Sequence, residues 1–282
     1  MEVIVHNYFE ESFSKEKSHQ YNLSVLISTD RLSFLISDAD NKVIALRAYQ
    51  ISGLQEELND IYQQILVRDT TLKQSFNTER IVFSNLFSTL LPFELYQIGS
   101  HEQYIKIILP NQEVFSSQSV LTDSIKLLGI QCVYLASTEL TQKLSAFFPR
   151  ASFYHLHSAL LSAWTQHERK DKQVLVNVQT SMLTIACFDK DKILYCNSFE
   201  YKNVKDFLYY IVLVYESLGL STEKIPLIFY GEILVESALF KEVYKYIRHV
   251  EFGESIDVLK FGNIFKDLQS HFFAEIHGVQ TL

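Results

Sequence analysis

The stretch VLVNVQTSMLTIACFDKDKILYCNSF, residues 174–199, reads as a strand, a short turn, a second strand, a polar Asp-Lys-Asp-Lys tip and a third strand. A weaker copy, VLISTDRLSFLISDADNKVIAL, occupies residues 25–46. Within it Val25 and Ile27, then Leu32, Phe34 and Ile36, recur at every second position, the spacing of half-buried strands. Asp38-Ala39-Asp40-Asn41 supplies turn chemistry, because Asp and Asn bond their own backbone and tolerate left-handed dihedrals. The segment Asp40-Asn41-Lys42-Val43-Ile44 answers Lys190-Asp191-Lys192-Ile193-Leu194 at an offset of about 150 residues. That spacing is a domain repeat, since solenoid periods run to roughly 20–50 residues. Two copies of one meander imply two related lobes facing each other.

Outward from the meanders, each copy leads into a helix. Leu54, Leu58, Ile61, Tyr62, Ile65 and Leu66 share one face between Gly53 and Arg68. In the second copy a helix is expected from Val204 to Leu218, closing at Gly219, then a buried strand from Pro226 to Tyr230 ending at Gly231. Between the two, strands are expected at 79–91, 103–109, 131–135 and 151–155. Helices are expected at 122–128 (closing at Gly129), at 138–147 after a Ser137 or Thr138 cap, and at 158–167. Beyond the second meander the pattern predicts helices over 233–247 and 264–276 and a short strand at 249–252. Residues 1–20 read as an irregular arm docked on the body through Tyr8, Phe9 and Phe13, or alternatively as a partner-binding segment. The charged run Glu168-Arg169-Lys170-Asp171-Lys172 marks the boundary, so the first lobe is expected at 1–170 and the second at 171–282.

Bulk properties exclude several classes. With 282 residues the chain has length for sizeable cores, and 48% apolar against 21% charged residues is a globular balance. A net charge of -8 argues against a protein that reads nucleic-acid backbones, so no nucleic-acid partner is expected. The N-terminus has no basic region before an apolar core and does not read as a signal peptide. The most apolar run, FLYYIVLVY at 207–215, is far short of the roughly 20 residues of a spanning helix, so no membrane insertion is expected. Cys132, Cys187 and Cys196 have no CxxC spacing and fit a reducing, cytoplasmic setting, although Cys187 and Cys196 fall on neighbouring expected strands.

Strand-strand-strand-helix-strand-helix, given twice with a cleft between, resembles the actin-like ATPase superfamily. More closely it looks like an uncharacterised bacterial family assigned that fold, distantly related to the actin-like proteins of pilus assembly and type II secretion. The resemblance covers nearly the whole chain from about residue 20. It implies an α/β, duplicated actin-like ATPase (ribonuclease H-like) fold, two lobes each with a mixed β-sheet flanked by helices. In active members each meander's first turn carries an acidic residue followed by glycine, where a Cβ would keep phosphates away. Here those turns read Ser28-Thr29-Asp30-Arg31 and Asn177-Val178-Gln179-Thr180-Ser181, with no glycine. The strand that normally ends in paired glycines to cradle adenosine reads Phe229-Tyr230-Gly231-Glu232, with a tyrosine in place of one.

The resemblance therefore implies a vestigial nucleotide cleft at Asp30, Thr180, Ser181 and Gly231. Asp30 is the candidate for a magnesium-bound water, and Thr180 or Ser181 for a phosphate contact. No catalytic residue and no resident cofactor is expected, with ATP and magnesium disfavoured, because electrostatic catalysis needs preorganised donors and a metal. His155 and His157 share one strand face at a spacing metals use, but no acidic or cysteine partner completes a site, and polar or capping roles are favoured. No G-x-S-x-G, P-loop or H-E-x-x-H motif occurs. The expectation is a non-catalytic actin-like domain that binds a protein partner or itself. The alternative is a divergent ATP-binding member of the actin-like and sugar-kinase superfamily.

Overall fold

A computed structural model describes residues 2–53, 57–109, 117–167, 169, 171–254 and 260–282. Leu54, Pro110 and parts of the 168–172 charged run lie outside the described residues.

The first meander forms β2 (Asn22–Ser28), β3 (Arg31–Ser37) and β4 (Lys42–Ile51), and α1 (Leu58–Arg68) follows. The second forms β10 (Lys172–Val178), β11 (Met182–Asp189) and β12 (Lys192–Glu200), followed by α5 (Val204–Ser217). Their hairpin tips match in detail. Asn41 and Lys190 both take positive φ, 59° and 54°, and a register shift precedes each tip, at Ile36/Ser37 and at Cys187/Phe188. In the first copy the Asp38 carboxylate accepts the backbone N–H of Asp40 and of Lys42, each at 2.9 Å.

Each meander continues into parallel strands. In the first lobe β2 pairs with β5 (Thr78–Ser84), which pairs with β9 (Ala151–His155). In the second, β10 pairs with β13 (Leu227–Gly231), which pairs with β14 (Val250–Phe252). The sheets therefore run β4-β3-β2-β5-β9 and β12-β11-β10-β13-β14, one topology used twice. Leu23, Val25, Phe34 and α1 close the outer core of the first lobe, and Val174, Val176, Phe207 and Ile211 that of the second.

Several expected elements are different. Residues 2–9 are not an irregular arm but a strand, β1 (Glu2–Phe9), at the edge of the first sheet against β4. Phe9 and Phe13 do anchor this end, with ring centroids 5.1 Å apart. The expected strand over 79–91 is two strands in different sheets. Asn85 breaks it, its side-chain oxygen accepting the N–H of Phe87 at 2.8 Å, and β6 (Ser88–Pro92) starts a small sheet ordered β6-β8-β7. Its other members are β7 (Gln118–Ile125) and β8 (Ile130–Ser137). Residues 122–125, expected in a helix, thus belong to β7, and only a 3-10 turn at 126–128 closes on Gly129 (φ 63°). Conversely the expected strand at 103–109 is α2 (His101–Ile108), whose Ile105 packs on Val133 and Leu135 of β8 while Ile107 faces solvent.

Ser137 caps α3 (Thr138–Phe147) as expected, accepting from Leu140 N. The helix expected at 233–247 shortens to α6 (Ala238–Val243), because Ser237 is its cap. The long final helix reduces to a 3-10 turn at 263–265 and α7 (Ala274–His277), which Phe273 enters at φ 58°. Between α6 and α7, β15 (Lys260–Phe261) crosses back to pair with β4 of the first sheet.

α4 (Leu156–Trp164) is buried along its whole length. With α7 and the turn at 278–281 it lies between the lobes, in a core joining Leu26 and Leu35 of the first sheet to Leu175 and Phe188 of the second. No described helix is long and apolar enough to cross a membrane.

Candidate functional site

The β2–β3 and β10–β11 turns project from equivalent ends of the two sheets and meet across the interlobe cleft. All four residues picked from the sequence lie there. Asp30 is held by its own turn, Ser28 Oγ donating to one carboxylate oxygen at 2.9 Å. Ser181 Oγ, from the other lobe, donates to the second oxygen at 3.0 Å. Thr180 Oγ1 accepts from the Arg31 guanidinium at 3.4 Å. Gly231 ends β13, with Glu232 beside it.

Arg31, Glu232 and Glu275 were not singled out from the sequence, and they dominate the cleft. The Arg31 guanidinium crosses from the first lobe and grips both carboxylate oxygens of Glu232, one of them at 2.6 Å. A planar fork on a carboxylate is the strong form of ion pair. Burial alone would lower the Arg31 pKa, but the Glu232 carboxylate, with Glu275 and Asp30 behind it, raises it. Burial pushes Glu232 upward, yet His6 nearby and the Arg31 guanidinium bonded to it outweigh that and hold the carboxyl down at about 2. His6 Nε2 stands 3.6 Å from the same carboxylate. Behind the pair lies Glu275 of α7, 1% exposed, with one oxygen lacking a partner; burial lifts its pKa to about 7. Asn177, fully buried, adds an unpartnered amide. The only available signal for this cluster was a charged residue following Asp30 where glycine was expected.

Gly231 is retained for an internal reason. Its φ is +79°, and a Cβ there would lie 2.2 Å from the Val178 carbonyl oxygen and 2.8 Å from its nitrogen. The strands approach so closely that only glycine fits. Tyr230, the residue before Gly231, is buried against Trp164 of α4 with centroids 5.7 Å apart. A Cβ on Gly253 would overlap its ring at 2.1 Å. The tyrosine fills interlobe space with a ring. Neither the β2–β3 turn nor the β10–β11 turn contains a residue at positive φ.

A second feature opens between the small sheet and the second lobe, a groove of about 620 Å³ with β6 on one wall and β12 on the other. At its floor His157 Nε2 lies 2.8 Å from Ser198 Oγ and Nδ1 lies 3.1 Å from Ser88 Oγ. A serine on a histidine is the start of a nucleophile, but burial pushes the His157 pKa down to about 4, which makes it a weak base. His155 is the cap of α4, its Nδ1 accepting from His157 N at 3.1 Å. The two rings stand edge to face at 4.7 Å, and among the described residues no group of three His, Cys, Asp or Glu is placed to hold a metal ion. Cys187 pairs with Tyr195 and Cys196 with Ala186, so the cysteines face opposite sides of their sheet; both are free.

Residues 10–250 match the model of a family described as protein of unknown function (DUF3822). No curated protein matches the chain. Among solved structures it resembles a Bacteroides thetaiotaomicron VPI-5482 protein with actin-like ATPase fold and unknown function. That likeness has 23% identity and a TM-score of 0.77, covering 86% of this chain and 93% of that one. A chain of the PilM-PilN type IV pilus biogenesis complex is similar at 13% identity and TM-score 0.59, over 92% and 97% of the two chains. Ethanolamine utilization protein EutJ from Carboxydothermus hydrogenoformans follows at 8% identity and 0.51, over 93% and 89%. At these identities the likeness establishes the fold: this is an actin-like ATPase fold.

Proposed function

The chain belongs to the DUF3822 family, and from that premise we propose that it is a non-catalytic actin-like protein that works by binding another protein. The interlobe cleft serves it as a structural joint. One observation carries this reading: the two phosphate-station turns are fastened to each other, Asp30 to Ser181 and Arg31 to both Glu232 and Thr180.

Mg-ATP does not suit such a joint. A triphosphate requires converging donors, whereas Asp30, Glu232 and Glu275 place three carboxyl groups around one guanidinium that is already engaged. Admitting the phosphates means opening the Arg31–Glu232 pair, and breaking a buried pair costs about 3–5 kcal/mol. The complex formed by a structural relative, PilM with PilN, is a precedent for a protein partner on this fold.

Isothermal titration of Mg-ATP into the full chain tests the reading. No saturable heat is expected. A magnesium-dependent isotherm with micromolar affinity overturns it in favour of a divergent ATP-binding protein. A thermal-shift panel of nucleotides checks the same point, because a ligand at 100 times its Kd stabilises by about 2.7 kcal/mol.

A further inference from the structure

We infer that the groove between β6 and β12 receives an extended, uncharged segment of a partner protein, which enters as an added strand. This rests on the protein-binding reading above and names the kind of partner.

Residues 193–199 line the groove without a gap, and 86–90 do so on the facing wall. Neighbouring residues of a strand point to opposite faces, so a continuous run on one wall means that each strand presents its backbone edge. Both are end strands, β12 of the five-stranded sheet and β6 of the three-stranded one. Hydrogen bonds fix which groups face the space. Tyr201 N donates to Ser181 O on the β11 side at 3.0 Å, so alternation turns the backbones of Cys196 and Ser198 into the groove. The Ser198 N–H is satisfied there by the Asn197 side chain at 2.9 Å, a substitute that a free edge needs. On the facing wall Leu135 N donates to Phe87 O at 2.9 Å, so Ser88 and Leu90 turn outward. Pro92 follows in the same outward register, and proline is tolerated at such an edge because no N–H is required.

Charge defines the occupant. None of the described residues lining the groove is Asp, Glu, Lys or Arg, so a charged side chain held inside would lose water and find no counter-ion. Exposed Lys192 and Glu200 stand at the two ends of β12. They favour a segment that is acidic beside Lys192, basic beside Glu200 and uncharged between. Five to six residues, about 17–20 Å of strand, match the length of β6. The floor offers Ser88, His157 and Ser198 to a small polar side chain, and the rim offers Phe87 and Leu194 to apolar ones. A strand seated there bridges the small sheet and the second lobe.

The test pans a phage library of random nonapeptides on the full chain and counter-selects on Leu194→Arg, a change at an exposed position that charges the groove. Enriched sequences are expected to hold about five consecutive uncharged residues. By fluorescence anisotropy a selected peptide should weaken at least tenfold on Leu194→Arg and on Thr89→Arg of the facing wall, both variants melting as the parent does. N-methylation of alternate peptide amides should weaken it equally, with side chains unchanged. The inference is overturned by no enrichment, by equal binding to both variants, or by indifference to N-methylation. A parent chain that sediments as a dimer while Leu194→Arg is monomeric also overturns it and assigns the groove to a second copy. An Mg-ATP titration of the same preparation separates the two readings. An isotherm there sinks the non-catalytic reading, whereas failed panning with a silent titration sinks only the groove.

Discussion

Asp123 shows how one buried carboxyl sets a pH response. It lies 5% exposed on β7 and accepts the His155 N–H at 2.7 Å. Burial raises its pKa from 3.8 to about 7. Between those values the folded chain keeps a proton that the unfolded chain has released, so this group's contribution is full at low pH and is lost as pH rises through about 7. Asp123→Asn keeps the acceptor and removes the titration. The variant's melting temperature relative to the parent is therefore expected to climb between pH 5 and pH 8. The low pKa values of His155 and His157 act in the opposite sense, but in both proteins alike, so they drop out of the difference. A constant difference across that range refutes the assignment. At this scale the sequence was readable only in part: Asp30, Thr180, Ser181 and Gly231 could be picked because the actin-like resemblance assigns its nucleotide contacts to the meander turns and to the end of one strand. Arg31 and Glu232 could not, since their partnership spans 201 positions and local pattern is blind to it.

At the scale of elements, period and caps carried the strongly patterned segments and failed on short ones. Both meanders, α1, α3 and α5 are where spacing puts them. The QYIKIIL stretch at 103–109 alternates as well as it winds, and what decides for a helix is the β8 face that buries Ile105. β1 became a strand because β4 offers an edge, a fact no local window contains. α5 illustrates the legible case. Asn203 accepts from Lys205 N at 2.9 Å and Asp206 N at 3.1 Å, while the Asp206 carboxylate accepts from Lys202 N at 3.1 Å. Asn203→Ala removes acceptors from the first turn of a 14-residue helix and is expected to cost about 1–2 kcal/mol in urea unfolding. A loss below a few tenths would show that packing alone holds that end.

For the whole molecule, the joint between lobes is the feature with most consequence. Arg31 and Glu232 tie the first meander to the end of β13, and α4 and α7 fill the space behind them. Glu232→Ala leaves the guanidinium buried without its main partner, and a loss of about 3–5 kcal/mol is expected on denaturant titration. The double change Arg31→Met with Glu232→Leu should cost less than Glu232→Ala, because the buried guanidinium is removed together with its main partner. If instead the double variant is the less stable of the two, the pair holds the lobes by its own attraction and not by mutual neutralisation.

By itself the sequence determined the repeated meander, the helices that follow it and, through the resemblance those carry, the actin-like fold, because alternation, turn residues and caps act over a few positions. Only the tertiary structure decided which charges meet in the cleft, why Gly231 is a glycine and that the edges of two end strands share one groove. Each of those depends on atoms brought together from distant parts of the chain, where packing and desolvation, not local preference, settle the outcome.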